Sequence, residues 1–228
     1  MIRINTALLL IGSPKRSRST SESLGNCFIE KLQNRNISAE TMNVWVAIQS
    51  EEGIKDLLNA ITQVDLVILS FPLYVDSLPS SVTKALEIIE QHYNLDKSLK
   101  KPGLIAIANN GFPESKQNEV AISICRLFAK ETGFKWLGGL ATGMGGMING
   151  RPLKQLNRRG KNAVKALELA AEAISKGEEI PATAVELMGK ASIPFWLYLL
   201  ISTRNRKKSA KKNNIHEQIY ATPYLNHG

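Results

Sequence analysis

Residues 7–21 read Ala-Leu-Leu-Leu-Ile-Gly-Ser-Pro-Lys-Arg-Ser-Arg-Ser-Thr-Ser, an apolar run followed by a loop of hydroxyl and basic side chains. A short, continuous apolar run that ends at a glycine is typical of a strand covered by helices on both faces. Residues 21–32 then place apolar side chains at helical spacing, which predicts a helix directly after the loop. The sequence therefore predicts a strand, a donor-rich loop and a helix, in that order.

The same alternation of strand and helix recurs along the chain. Further strands are predicted at residues 38–44, 66–71, 104–108 and 136–140. Further helices are predicted at residues 53–62, 80–93, 118–131 and 155–175. The helices predicted at residues 21–32 and 80–93 both begin at hydroxyl residues, which predicts hydroxyl N-caps for both. The pattern indicates an α/β fold: a doubly wound, five-stranded parallel sheet with helices on both faces.

The composition indicates one folded domain with an appendage. Of the 228 residues, 43% are hydrophobic and 21% charged, which indicates neither global disorder nor a polytopic membrane protein. The segment 177–181, with a glycine and a proline at its ends, closes the last helix of the α/β pattern. The predicted domains are therefore residues 1–180, and residues 181–228 as a C-terminal apolar helix with a basic tail.

Cysteine usage restricts the chemistry. The chain contains only Cys27 and Cys125, so it lacks the closely spaced pairs that zinc, iron–sulfur and thioredoxin-like sites use. Isolated cysteines favour a reducing, cytoplasmic location. The apolar start of the sequence leads into Ser-Pro-Lys-Arg, not into a small-residue cleavage site, so it is interpreted as a strand and not as a signal peptide.

The loop after the first predicted strand is the strongest candidate for a binding site. Ligands of a doubly wound sheet bind outside the carboxyl ends of the strands, where the strand order reverses. This loop brings five candidate residues to a helix N-terminus: Ser13, Lys15, Ser19, Thr20 and Ser21. Hydroxyl and N–H donors at a helix dipole suit a phosphate, yet the loop matches neither the P-loop nor the dinucleotide Gly pattern. Alternatively, Ser19 or Thr20 merely caps the helix.

The loops after the third and fourth strands offer places for a flat ring. The first of them consists of Pro72, Leu73, Tyr74, Val75 and Asp76. The second consists of Asn109, Asn110, Gly111 and Phe112. Backbone N–H groups near Leu73 and Tyr74 are predicted to face the edge of the ring, and the asparagine amides can hydrogen-bond its other edge. Alternatively, Tyr74 is a partly buried core aromatic, and Asn-Gly is a common turn.

The loop after the fifth strand is glycine-rich but offers no clear phosphate grip. It reads Thr-Gly-Met-Gly-Gly-Met at residues 142–147. Methionine side chains adapt to irregular apolar surfaces. Met144 and Met147 are therefore predicted to form a mobile apolar wall against which a second substrate stacks.

At these loops the sequence resembles the NAD(P)H-dependent FMN reductase branch of the flavodoxin-like superfamily. The matching motifs are Gly12-Ser13-Pro14-Lys15 with Ser19-Thr20, Pro72-Leu73-Tyr74, and Asn109-Asn110-Gly111-Phe112. The resemblance covers roughly residues 5–176. It implies a flavodoxin-like fold that binds FMN, with the first loop around the phosphate and residues 72–76 and 109–112 around the isoalloxazine ring. Arg16 and Arg18 make the first loop more basic than is usual in the family.

The resemblance also implies an activity. NAD(P)H would pass hydride through the flavin to a small-molecule acceptor such as a quinone, an azo compound or a nitro compound. The cofactor carries this chemistry, so no catalytic side chain is assigned. A homodimer is expected and a nucleic-acid partner is not. The alternative is a flavodoxin-type electron carrier. Carriers of that kind are generally acidic, whereas the main part of this chain is basic, so its charge argues against this alternative.

The C-terminal segment supports a third hypothesis. Residues 204–228 carry six Lys or Arg and one Glu, so five of the nine net positive charges lie there, directly after an apolar run. Such a segment can bind an anionic membrane surface peripherally, or a nucleic acid. The apolar run at residues 193–201 is shorter than the roughly 20 residues that span a bilayer. Alternatively, the segment packs on its own domain or on a dimer mate and ends in a solvated basic stretch.

Overall fold

The computed structural model describes residues 3–15 and 17–221. Arg16, one of the two arginines that make the first loop more basic than is usual in the family, lies outside the described residues, as do residues 222–228. The chain divides into two compact units, Met1–Ser192 and Ile193–Gly228. Each unit is described by itself below.

A parallel sheet of five strands forms the centre of the first unit. The strands are β1 (Thr6–Ile11), β2 (Ser38–Asn43), β3 (Leu66–Pro72), β4 (Gly103–Asn109) and β5 (Lys135–Thr142). Their spatial order is β2-β1-β3-β4-β5, and every neighbouring pair is parallel. The order reverses between β1 and β3, so the crevice at the carboxyl ends of these strands is where a ligand is expected.

Helices cover both faces of the sheet. They are α1 (Thr20–Gln33), α2 (Val44–Ala47), α3 (Glu51–Gln63), α4 (Ser80–Leu95), α5 (Glu119–Thr132), α6 (Lys161–Ser175) and α7 (Ala182–Gly189). Side chains of α1, α6 and α7 form one apolar core with one face of the strands, and those of α2 to α5 form a second core with the other face. Leu8 and Leu9 of β1 point into different cores, as the two-residue period of a strand requires. The predicted doubly wound α/β architecture is confirmed.

Three local predictions differ from the structure. The helix predicted at residues 155–175 is divided into a 3₁₀ segment, Leu153–Arg159, and α6, because Asn157 has φ 49° and ψ −127°, outside the helical region. Ser19 caps α1 as predicted, but α4 follows Pro79, which makes no side-chain cap, so the predicted hydroxyl cap there is wrong.

The third difference concerns the end of the first unit, which lies beyond the predicted residue 180. The N–H of Ile180 donates to the carbonyl of Leu137 at 2.7 Å. Ile180, Ala184 and Met188, four residues apart, are all buried in the core that α1 and α6 form. This spacing presents one face of α7 to the core, so the compact unit extends to Ser192.

The second unit contains the C-terminal helix that the sequence predicts. This helix is α8 (Phe195–Lys212), and a short 3₁₀ turn, His216–Gln218, follows it. No helix in the described part of the chain is both long enough and apolar enough to cross a membrane.

Gly12 lets the chain leave β1 at a point where a side chain has no room. A Cβ atom at this position would lie 2.4 Å from Cγ2 of Val82 and 2.9 Å from Cβ of Phe71. The N–H of Gly12 donates to the carbonyl of Ser70 at 2.8 Å. Glycine therefore allows the first loop to pass close against β3 and α4.

Asp65 joins the amino ends of three strands. Its carboxylate accepts hydrogen bonds from the N–H groups of Asn5 and Thr6, at 2.8 and 3.0 Å, and pairs with Lys100 at 2.7 Å. Partial burial raises the pKa of this carboxyl, but the hydrogen bonds from Lys100, Asn5 and Thr6 outweigh it, so the pKa lies below its ordinary value. A carboxyl with a lowered folded-state pKa stabilises the fold above its unfolded-state pKa, near 4, and this contribution is lost as the pH falls.

We expect Asp65→Asn to lower the free energy of unfolding by about 1–2 kcal/mol at pH 7, because charge-assisted hydrogen bonds are lost. The difference from the parent should shrink as the pH falls through the folded-state pKa. Urea denaturation at pH 7 and near pH 3 measures both values. Asp56→Asn, at an exposed position of α3, is the control and should have little effect. An equal loss for Asp65→Asn at both pH values would contradict this role.

Candidate functional site

A cavity of about 350 Å³ opens at the carboxyl ends of β1, β3 and β4. Its lining residues are Ser13, Pro14, Lys15, Arg18, Ser19, Thr20, Ser21, Pro72, Tyr74, Asn109 and Asn149. Eight of them are among the residues that the sequence predicts for the site. The other predicted residues, Leu73, Val75, Asp76, Asn110, Gly111 and Phe112, lie outside this lining.

Ser19 starts α1 with a complete capping box. Its Oγ accepts a hydrogen bond from the N–H of Glu22 at 3.0 Å, and the Glu22 carboxylate accepts from the N–H of Ser19 at 3.3 Å. The alternative that Ser19 caps the helix is therefore correct for that side chain. Glu22 lines a second cavity, which shares Arg18 with the first. Its negative charge thus lies outside the lining of the candidate site.

The other hydroxyl groups of the first loop differ in what they leave for a ligand. Ser13 Oγ accepts from the N–H of Lys15 at 3.3 Å, and Ser21 Oγ accepts from the amide of Asn109 at 2.8 Å. Accepting leaves the hydroxyl proton free to be donated elsewhere. Thr20 Oγ1 instead donates to the carbonyl of Gly145 at 2.9 Å. Thr20 therefore holds the loop in place with its side chain.

The donors at the start of α1 fit a phosphate group. Within residues 3–15 and 17–221, the N–H groups of Thr20 and Ser21 have no protein acceptor, and the first intrahelical bond runs from Ser23 N–H to Ser19 O at 3.1 Å. Lys15 and Arg18 add positive charge to the cavity wall. Unpaired N–H groups, the helix dipole and basic side chains together stabilise a bound anion.

The loop after β3 contributes a wall, but not the N–H donors that the sequence predicts. The N–H of Leu73 donates to Asn109 O at 2.8 Å and that of Tyr74 to Ser77 O at 2.9 Å. Both N–H groups hydrogen-bond carbonyls of the protein itself, so the prediction that they face a ring is wrong. The Tyr74 side chain is 49% exposed and lines the cavity, so the alternative of a core aromatic is wrong as well.

A strained turn sets the position of Tyr74. Val75 and Asp76 both have left-handed backbone angles, φ 47° and 57°, between the paired residues Tyr74 and Ser77. This conformation costs a β-branched residue on the order of 1–3 kcal/mol. Val75 is 98% exposed, so burial of its side chain does not offset the strain. The two hydrogen bonds between Tyr74 and Ser77 hold the turn closed.

The asparagines after β4 serve the protein framework. Asn109 is buried, and its amide donates to Ser21 Oγ at 2.8 Å and to Phe71 O at 2.9 Å. The amide of Asn110 accepts from the N–H of Phe112 at 2.9 Å and donates to Glu114 O at 3.0 Å. Both amides therefore hydrogen-bond groups of the protein, whereas the sequence predicted that they hydrogen-bond a ring. Asn109 instead ties the first loop to β3 at the floor of the cavity.

The segment after β5 braces the first loop, a role that the sequence does not reveal. Met144 is buried, so it does not form the predicted apolar wall, and the N–H of Gly145 donates to Asn110 O at 2.7 Å. Asn149 lines the cavity. Gly150 has φ 73°, and a Cβ there would lie 1.9 Å from the carbonyl oxygen of Arg18. The residues of this segment show only an Asn-Gly turn signal, which does not indicate its contact with a loop far away in sequence.

The cysteines do not supply a reactive thiol to this site. Burial raises the pKa of Cys27 to about 11 and that of Cys125 to about 12, and both thiols are free of disulfides. Both are therefore protonated at neutral pH and weakly nucleophilic. Within the described residues, no three His, Cys, Asp or Glu side chains group as metal ligands.

No protein-family model matches the sequence, and comparison with curated proteins finds no relative. Solved structures do resemble it. The Trp repressor binding protein from Bacillus subtilis superposes with a TM-score of 0.54 at 15% identity, over 71% of this chain and 95% of that one. This superposition and the strand order β2-β1-β3-β4-β5 together decide the architecture. The fold is flavodoxin-like.

Two further flavodoxin-like structures are similar over the same part of the chain. One is an FMN-dependent NADH-azoreductase from Bacillus anthracis in complex with FMN, with a TM-score of 0.54 and 13% identity, over 75% of this chain and 100% of that one. The other is an NAD(P)H:quinone oxidoreductase from Methanothermobacter marburgensis, with a TM-score of 0.56 and 14% identity, over 75% and 96%. The flavodoxin-like fold that the sequence resemblance implies is confirmed.

We expect Gly150→Ala to destabilise the flavodoxin-like unit by about 2 kcal/mol or more, because alanine neither tolerates φ 73° nor fits against the Arg18 carbonyl. The first loop should loosen as well, so trypsin should cut faster at Lys15 and Arg18. Gly146→Ala is the matched control, since a Cβ there meets nothing within 4 Å. Equal tryptic rates for Gly150→Ala and the parent would show that Gly150 does not brace the loop.

Proposed function

We propose that this chain binds FMN and uses NAD(P)H to reduce a small-molecule acceptor such as a quinone, an azo compound or a nitro compound. The observation that carries the proposal is the cavity in which the donor-rich start of α1 meets Pro72, Tyr74 and Asn109. Two flavodoxin-like structures, the azoreductase with FMN and the quinone oxidoreductase, have names that agree with it. A homodimer is the proposed assembly.

The phosphate is proposed to bind at the N-terminus of α1. The N–H groups of Thr20 and Ser21 and the hydroxyl protons of Ser13, Ser19 and Ser21 are the donors available there. Lys15 adds a positive charge. Because a phosphate monoester carries up to two negative charges, these donors stabilise it better than they would a neutral ligand.

The ring is proposed to lie toward the loops after β3 and β4. Tyr74 is the aromatic side chain on the cavity wall, and its face can pack against a flat heterocycle. The other residues predicted for the site in these two loops are Leu73, Val75, Asp76, Asn110, Gly111 and Phe112, and their contact with the ring stays a prediction. FMN supplies the hydride-transfer chemistry when it is bound, and the chain supplies binding, orientation and exclusion of water. No side chain is proposed to act as acid, base or nucleophile.

The phosphate assignment is tested by comparing FMN with riboflavin, which lacks the phosphate. We expect Lys15→Gln to weaken FMN binding roughly tenfold, because one charge-assisted contact is lost. Riboflavin binding should not change. Fluorescence quenching during titration measures both affinities, and Lys55→Gln, at an exposed position of α3, is the control. Equal losses for FMN and riboflavin would place Lys15 away from the phosphate.

The activity is tested by steady-state oxidation of NADH and NADPH. The chain reconstituted with FMN should oxidise at least one of them continuously when benzoquinone is present, since hydride passes from the nicotinamide through the flavin to the acceptor. Absorbance at the nicotinamide band reports the rate. Omission of FMN is the control. Tight FMN binding without turnover of either nucleotide would contradict the enzyme and favour an electron carrier.

A further inference from the structure

The helix α8 exposes a face of large apolar side chains. Phe195, Trp196, Leu199 and Leu200 expose 55%, 62%, 47% and 60% of their surfaces. At about 100° per residue these four lie within an arc of about 140° of the helix circumference. Leu197, Tyr198 and Ile201, which fall on the opposite side, are half-buried. The exposed residues therefore form one continuous apolar face and are not scattered singly over the surface.

The same helix is strongly basic in its second half. Residues 195–203 carry no charged side chain, whereas Arg204, Arg206, Lys207, Lys208, Lys211 and Lys212 follow without an intervening acidic residue. All six are exposed. Arg206 and Lys207 continue the angular position of the apolar face one to two turns further along the axis. Arg206 also lies 5.7 Å from the centre of the exposed Tyr220 ring.

The geometry points to an anionic lipid bilayer as the surface that this helix contacts. Apolar and aromatic side chains enter the boundary between headgroups and acyl chains, and neighbouring Lys and Arg pair with anionic headgroups. The apolar half is about 13 Å long at 1.5 Å per residue, so it suits contact with the surface. It does not suit crossing, in agreement with the absence of a membrane-spanning helix among residues 3–15 and 17–221.

Charge argues against a second copy of the chain as the occupant. The six exposed basic residues of α8 would repel those of a second α8 packed against it. If two α8 helices paired in parallel, six cations of one copy would face six of the other. If they paired antiparallel along their whole length, the apolar half of each would lie on the basic half of its partner. An anionic lipid surface complements both halves of the helix at once.

We propose that α8 attaches this protein peripherally to membranes that contain anionic lipid. The attachment involves neither the cavity at β1 nor a bound flavin, so it goes beyond the proposed function and is tested without it. The test is co-sedimentation of the intact chain with phosphatidylcholine vesicles that do or do not contain phosphatidylglycerol. We expect binding to the vesicles with phosphatidylglycerol, weakening as salt is added, because salt screens the basic residues.

Charge variants separate the helix from the overall charge of the chain. We expect Arg206→Gln, Lys207→Gln and Lys208→Gln together to lower partitioning on the order of a hundredfold, since each basic residue contributes a factor of about five. The control changes Lys55, Lys97 and Lys130 to Gln, which removes the same charge from exposed positions of the first unit. Its effect should stay within about threefold. Equal losses in both triple variants would overturn a specific role for α8.

Apolar variants test the other half of the helix. Trp196→Ser with Leu200→Ser should lower partitioning by at least about tenfold. Val120→Ser with Leu127→Ser, both exposed on α5, should leave it unchanged. Vesicles should also shift Trp196 fluorescence to the blue, and Trp196→Phe should abolish that shift while Trp45 and Trp136 remain. Unchanged vesicle binding of the apolar variant, or a change in its oligomeric state without lipid as measured by light scattering, would overturn the proposal and favour a second copy.

Discussion

The close passage of the chain from β1 into α1 is the constraint on which the rest of the first unit depends. Gly12 leaves the strand between Val82 and Phe71, where a Cβ would lie 2.4 and 2.9 Å from their side chains. The loop then reaches Ser19, whose capping box begins α1. The loop is fixed at one end by β1 and at the other by α1. It therefore presents its N–H and hydroxyl groups at the edge of the sheet where the strand order reverses. The candidate site exists because of this geometry.

Long-range hydrogen bonds stabilise that loop from three sides. Ser70 Oγ donates to the carbonyl of Ser21, and Asn109 joins Ser21 to Phe71. Thr20 holds the carbonyl of Gly145, and Gly150 packs against the backbone of Arg18. A binding site whose donors are fixed before the ligand arrives loses less entropy on binding. The polar residues around the cavity therefore divide into those that are available to an anion and those that hold the loop.

The sequence predicted the framework well because strands covered on both faces need continuous apolar runs, and such runs are visible without knowledge of tertiary contacts. β1, β3, β4, β5 and the order of the elements were predictable on this basis. β2 carries polar, mostly exposed or half-buried residues, so its strand signal was weaker. The break in the helix at Asn157 was not predictable, because Leu153 and Leu156 on its N-terminal side keep helical spacing. The sequence also did not predict the hydrogen bonds of the Leu73 and Tyr74 N–H groups and of the Asn110 amide. Their partners come close only in the folded chain. For the same reason, the contact between Gly150 and Arg18 appears in the sequence as an ordinary turn.

The central claim is that the cavity at the carboxyl ends of β1, β3 and β4 holds FMN. The most direct measurement is the identity and amount of the cofactor carried by the purified chain, from its absorption spectrum and the mass of the molecule released on denaturation. The proposed site predicts one FMN per chain, recovered fully when the stripped protein is mixed with FMN. A protein that is colourless as purified and cannot be reconstituted with FMN would contradict it.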